Sequence, residues 1–145
     1  MEPTWILVAD EARARLFTVD RPRGPLREQE DLVNPPERLP EHELGSDEPG
    51  RGSSGGPAGG HRLEPQESIR ETYSRTFARD IAQKLKQARV QGEMQRLYLV
   101  AAPQFLGALR SALDRSTGSC VVQSLNKDLV SHRADDIRGH LPERL

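Results

Sequence analysis

Apolar and polar positions alternate along this chain in ways that mark out its elements. Residues 5–9, "WILVA", form a continuous apolar run of strand length, the pattern of a strand covered on both faces. After a short polar turn, residues 14–20 set Arg15, Phe17 and Val19 against Leu16 and Thr18, and the tight spacing predicts a hairpin. "RPRGP" (21–25) breaks the chain, and "LREQEDLV" (26–33) is polar enough for an exposed edge strand. The strongest period is helical. Ile69, Tyr73, Phe77, Ile81 and Leu85 step by four, widened by Ala78, Ala82 and Ala88, with Arg70, Arg75, Arg79, Asp80, Lys84 and Lys86 at the other positions. This predicts a helix over 67–91, stopped by Gly92 as a C′ residue. "RLYLVAAP" (96–103) is a second buried strand, and Pro103 opens a short helix to about Arg115 through Leu106, Leu109 and Leu113. "SCVVQSL" (119–125) is a further strand. A final helix carries Ala134, Ile137 and Leu141, with Ser131 as its expected N-cap.

The order is β-β-β-(long loop)-α-β-α-β-α. Alternating strand and helix in the second half implies parallel pairing with right-handed crossovers, and the first half is a meander. The expected fold is therefore α/β, a mixed β-sheet with flanking helices, in one domain over 1–145. Residues 34–65 show no period and hold Pro35, Pro36, Pro40, Pro49, Pro57 and Pro65, which stop both helix and ladder. An insert of this length in a compact domain is either disordered or functional. Its glycines would let the backbone approach another molecule closely.

Charge narrows the partners. With 21 Lys+Arg against 22 Asp+Glu the net charge is −1, so any nucleic-acid binding needs a local patch. The one cysteine, Cys120, excludes an internal disulfide and reads as a buried thiol beside Val121 and Val122. "MEPTWILVAD" lacks the basic start of a signal peptide, and no apolar run is long enough for a membrane span. A cytoplasmic protein without membrane contact is expected.

Candidate chemistry is sparse. His42, His61, His132 and His140 have neither i, i+4 spacing nor an HExxH pattern, so no metal site is assigned and surface histidines are expected. Asp10 ends the first strand, where catalytic groups gather in α/β proteins, but a two-metal nuclease needs several converging carboxylates. "GRGSSGG" lacks the lysine of a phosphate loop, no G-x-S-x-G or G-x-G-x-x-G element is present, and no cofactor is implied. "SDEPGR" (46–51) and "GGHR" (59–62) are more specified than a linker needs.

Several stretches carry a family likeness: "WILVADEARARLF", "SDEPGR", "FARDIAQKL", "LVAAPQFLGALRSAL" and "KDLVSH". Through them the chain resembles the bacterial host attachment family, proteins described as required for attachment to host cells. That family resembles the central domain of eukaryotic and archaeal peptide-chain release factors, where a loop with a Gly-Gly-Gln tip lies between the early strands and a long helix. The resemblance implies a glycine-rich functional loop here, with Gly59, Gly60 and His61 at the tip. The glutamine is absent, and no catalysis is assigned.

The resulting expectation is a binding domain for RNA or the ribosome. Arg13, Arg15, Arg51 and Arg62 are its candidate phosphate contacts, because arginine forks suit phosphate oxygens. Asp47, Gly50, Gly59 and Gly60 are further candidate binding residues in the loop. Two alternatives stand beside it. One is a module that binds an unknown protein and affects attachment indirectly. The other is an enzyme, either a peptidyl-tRNA hydrolase using His61 or a metal nuclease using Asp10.

Overall fold

The computed structural model describes residues 1–39 and 59–145, the side chains of 59–68 excepted. Five strands form one mixed sheet: β1 (Thr4–Ala9), β2 (Arg13–Thr18), β3 (Arg27–Val33), β4 (Arg96–Ala101) and β5 (Val121–Asn126). Their spatial order is β3-β2-β1-β4-β5. The hairpin and the parallel half both match expectation, since β1 pairs antiparallel with β2 while β1–β4 and β4–β5 are parallel. Among the described residues, a 3-10 turn (Pro36–Arg38) and four α-helices accompany the sheet: α1 (Gly59–Val90), α2 (Pro103–Ala112), the short α3 (Arg115–Gly118) and α4 (Ala134–His140).

Period-two alternation sorts the strand side chains into two cores. Leu7, Ala9, Ala14, Leu16, Leu97, Leu99 and Ala101 face α1 and α2, packing on Phe77, Ile81, Leu85, Phe105 and Leu109. Ile6, Val8, Phe17, Val19, Tyr98 and Val100 face the other way, onto Leu129, Val130, Ile137, Leu141 and Leu145. The sheet is thus the middle of three layers. On the first face the helical stripe is the one seen in the sequence, from Tyr73 to Ala88. Gly92 ends α1 as expected, at φ 78°, with its N–H donating to the Arg89 carbonyl (3.0 Å) and that of Glu93 to the Ala88 carbonyl (2.8 Å). This is the paired 5→2 and 6→1 closure of a Schellman motif.

Edge strand β3 is exposed and charged, and its pairing is irregular. Leu16 sits opposite Glu30 but Phe17 opposite Glu28, leaving Gln29 as an extra residue. One extra residue flips the following side chains to the other face. Glu28 is thereby brought to the second face, beside Arg15.

Four local expectations change. Helix α1 begins at Gly59 rather than at 67, so Gly59, Gly60, His61 and Arg62 are helical instead of forming a loop tip. One helix to Arg115 is instead two, because Leu113 is extended (ψ 135°) and α3 starts afresh after Asp114. The N-cap of α4 is Arg133, with no side-chain cap bond, rather than Ser131. Cys120 is half-buried, its thiol directed at the Ser116 carbonyl (3.7 Å), because β5 is an outer strand with only one neighbour.

Candidate functional site

In open α/β sheets, ligands settle outside the carboxyl ends of strands where the connections diverge. Here that place lies between β1 and β4, since from β1 the chain turns to β2 on one side and from β4 it passes through α2 to β5 on the other. A cleft of about 970 Å³ opens there, lined by the β1–β2 turn, α2 along its length and one side of α1. That volume suits a small ligand or a segment of a larger one.

The β1–β2 turn is fixed by its own side chains. Asp10 Oδ1 accepts the backbone N–H groups of Ala12 and Arg13, each at 2.9 Å, which makes Asp10 a turn aspartate. Glu11 bridges to α1, accepting from Arg70 Nη1 and Ser74 Oγ, each at 3.0 Å. Beneath the turn, Asn34 is buried with every polar group used. Its amide donates to the carbonyls of Glu11 (2.9 Å) and Tyr73 (3.2 Å), and its oxygen accepts from Arg38 (3.1 Å). The Tyr73 hydroxyl donates to the Asn34 carbonyl (3.1 Å). Burial, then the Glu11 charge, pushes the Tyr73 phenol above its ordinary pKa, so it keeps that proton.

The α1 wall carries Glu71, Arg75 and Arg79, at i, i+4 spacing on one side of the helix. Arg75 and Arg79 are exposed, and neither joins an ion pair among the described residues. Across the cleft, α2 offers Gln104, Gly107, Ala108 and Ser111, with Phe105 turned into the core against Phe77 (ring centroids 6.0 Å apart). The first turn of α2 has no side-chain cap, so its N–H groups are left for solvent or a ligand.

The expected site residues scatter. Asp10 lines the cleft, but among the described residues no group of three metal-ligating side chains forms. Arg13 forks onto Asp31, with Nε–Oδ1 at 2.9 Å and Nη2–Oδ2 at 2.7 Å. That fork holds the Asp31 carboxyl below the usual carboxylate range. Arg15 departs furthest from expectation. Only 8% exposed, it grips Glu28 with Nε and Nη2 (3.0 and 2.9 Å), donates through Nη1 to the carbonyls of Val130 (2.9 Å) and His132, and lies 5.1 Å from the Phe17 ring centroid. Its donors serve the fold instead of a phosphate. Asp47, Gly50, Arg51 and His42 lie outside the described residues, as do the side chains of His61 and Arg62. His132 and His140 are exposed as expected, and His132 Nδ1 lies 2.9 Å from Asp136, whose carboxyl it lowers.

Arg75, Arg79 and Gln104 line the cleft without being marked as site residues by any sequence motif. Their available signals were the helix face opposite the apolar stripe and the position just after the second buried strand.

Residues 5–141 match the family described as "Protein required for attachment to host cells". The chain belongs to that family. A search of curated proteins finds no match. No described helix is long and apolar enough to cross a membrane.

Proposed function

We propose that this host-attachment family member is a cytoplasmic RNA- or ribosome-associated binding domain, similar to the release-factor central domain, and that it contributes to attachment indirectly. The observation that carries this reading is a one-sided row of cations on α1. Arg75, Arg79 and Lys86 fall within a narrow arc of the helix, all exposed, with no ion pair among the described residues. Other cations nearby are engaged: Arg70 by Glu11, Lys84 by Glu30, Arg89 by Asp114 and Arg38 by Asp80. In a chain of net charge −1, such a row is the local patch that phosphate binding requires.

The test is co-sedimentation with ribosomes from a bacterial lysate at low and moderate salt. Wild type runs beside an Arg75→Ala/Arg79→Ala/Lys86→Ala variant. The expected result is salt-sensitive pelleting of wild type and its loss in the variant, since counterion release makes phosphate binding fall with salt. Pelleting that ignores both salt and the substitutions would instead favour an apolar protein interface.

A further inference from the structure

Both signs of charge line the switch-point cleft. Asp10 uses Oδ1 in its turn, while Oδ2 has no hydrogen bond among the described residues. Glu71 lines the cleft as well. One and two helical turns along α1, roughly 6 and 12 Å from Glu71 at about 1.5 Å per residue, come Arg75 and Arg79. Glu11 offers no free acceptor beside them, because both its oxygens are taken by Arg70 and Ser74.

A bare anion would satisfy the arginines and leave the carboxylates of Asp10 and Glu71 unanswered. A neutral polyol would do the reverse. A ribonucleotide offers both halves, with phosphate oxygens for guanidinium forks and ribose hydroxyls to donate to a carboxylate. We infer that the cleft takes a ribonucleotide unit, free or within an RNA strand, with its phosphate on Arg75 and Arg79 and a ribose hydroxyl on Asp10. This rests on the RNA reading above and adds to it a preference for the ribose sugar. The base gains little. Phe105 is buried, and no exposed aromatic ring lines the cleft among the described residues, so the stacking that holds bases in single-strand binders is missing. Recognition is therefore indifferent to sequence.

The test is fluorescence anisotropy on the full chain, with a labelled adenosine oligoribonucleotide and its deoxy counterpart across a salt series, and AMP as competitor. Wild type should bind the ribo-oligomer several-fold tighter. Arg75→Ala/Arg79→Ala should weaken both oligomers about tenfold or more and flatten the salt slope by about 1.4, at about 0.7 per lost phosphate contact on a single strand. Asp10→Asn, which keeps the turn acceptor, should weaken the ribo-oligomer and leave the deoxy-oligomer unchanged. Displacement by stoichiometric AMP would assign the site to a free nucleotide, and resistance to AMP would assign it to the strand. If the double variant binds RNA as wild type does, the cleft is not the site and the RNA reading survives elsewhere on the surface. Equal binding of both sugars, or an equal effect of Asp10→Asn on both, overturns the ribose contact. If wild type binds neither oligomer nor ribosomes, the RNA reading itself falls.

Discussion

Replacing Arg15 should damage the fold more than replacing any other arginine on the sheet. Arg15→Ala removes a guanidinium whose side chain is 9% exposed and which links three parts of the chain: Glu28 on β3, Phe17 on β2, and the carbonyls of Val130 and His132 beyond β5. Each stranded carbonyl costs about 1–3 kcal/mol unless water reaches it. Loss of the contact with Phe17 adds about 0.5–2 kcal/mol. Glu28 adds little, because its side chain is 34% exposed and can rehydrate. These losses overlap, and the expected total is about 3–5 kcal/mol. Arg15→Lys should fall between, since one ammonium cannot span a carboxylate and two carbonyls. Urea unfolding followed by far-UV circular dichroism would read this as a midpoint about 2 M lower, for a slope near 2 kcal/mol/M. A loss below about 1 kcal/mol would refute the reasoning, because it would mean that the guanidinium is solvated in solution.

Other expectations follow from single contacts. Gly92→Ala meets no atom within 4 Å but must hold φ 78°, so it should destabilise by about 1–2 kcal/mol through backbone conformation alone, measured by thermal unfolding. Gly139→Ala, inside α4 with open space around its Cβ and no positive φ, should instead stabilise by up to about 1 kcal/mol. The Asp31 carboxyl is lowered chiefly by its hydrogen bond from Arg13, then by the Arg13 charge. A depressed folded pKa gives stability that is present above the unfolded value and lost as pH falls through the folded one. Asp31→Asn should therefore lower neutral-pH stability and flatten the acid limb of a stability–pH curve, and an unchanged acid limb would contradict the pairing. Arg75→Ala/Arg79→Ala should shift stability by less than about 0.5 kcal/mol, so that a binding loss in this variant is not a folding loss.

The parts of the fold visible in the sequence were those set by short-range period. Trp5 to Ala9, the step-four stripe from Ile69 to Leu85, and Gly92 each declare themselves within a few residues. Arg15 does not, because its burial depends on carbonyls more than a hundred residues away and on the irregular pairing at Gln29 that turns Glu28 towards it. An alternating pattern places Arg15 on the Phe17 face correctly, but cannot say that a polypeptide segment will cover it. Ser131 misled because a good capping side chain is common in turns, whereas α4 starts three residues later, after Arg133. For the candidate site, composition singles out the glycine-rich segment. The cleft forms where Asp10, at the end of β1, meets the chain leaving β4 at Ala102, a neighbourhood created only by strand order. In sequence Arg75 and Arg79 read as an ordinary solvated face, and only the pairing of Arg70, Lys84 and Arg89 beside them sets them apart.

The central claim is that the α1 cations and the neighbouring cleft make up the binding face. Hydrogen–deuterium exchange of the chain with and without ribosomal RNA tests it most directly. Added protection is expected at 70–86 of α1, the 10–13 turn and the first turns of α2. Protection confined to the β3 or β5 edge, or none at saturating RNA, would contradict it.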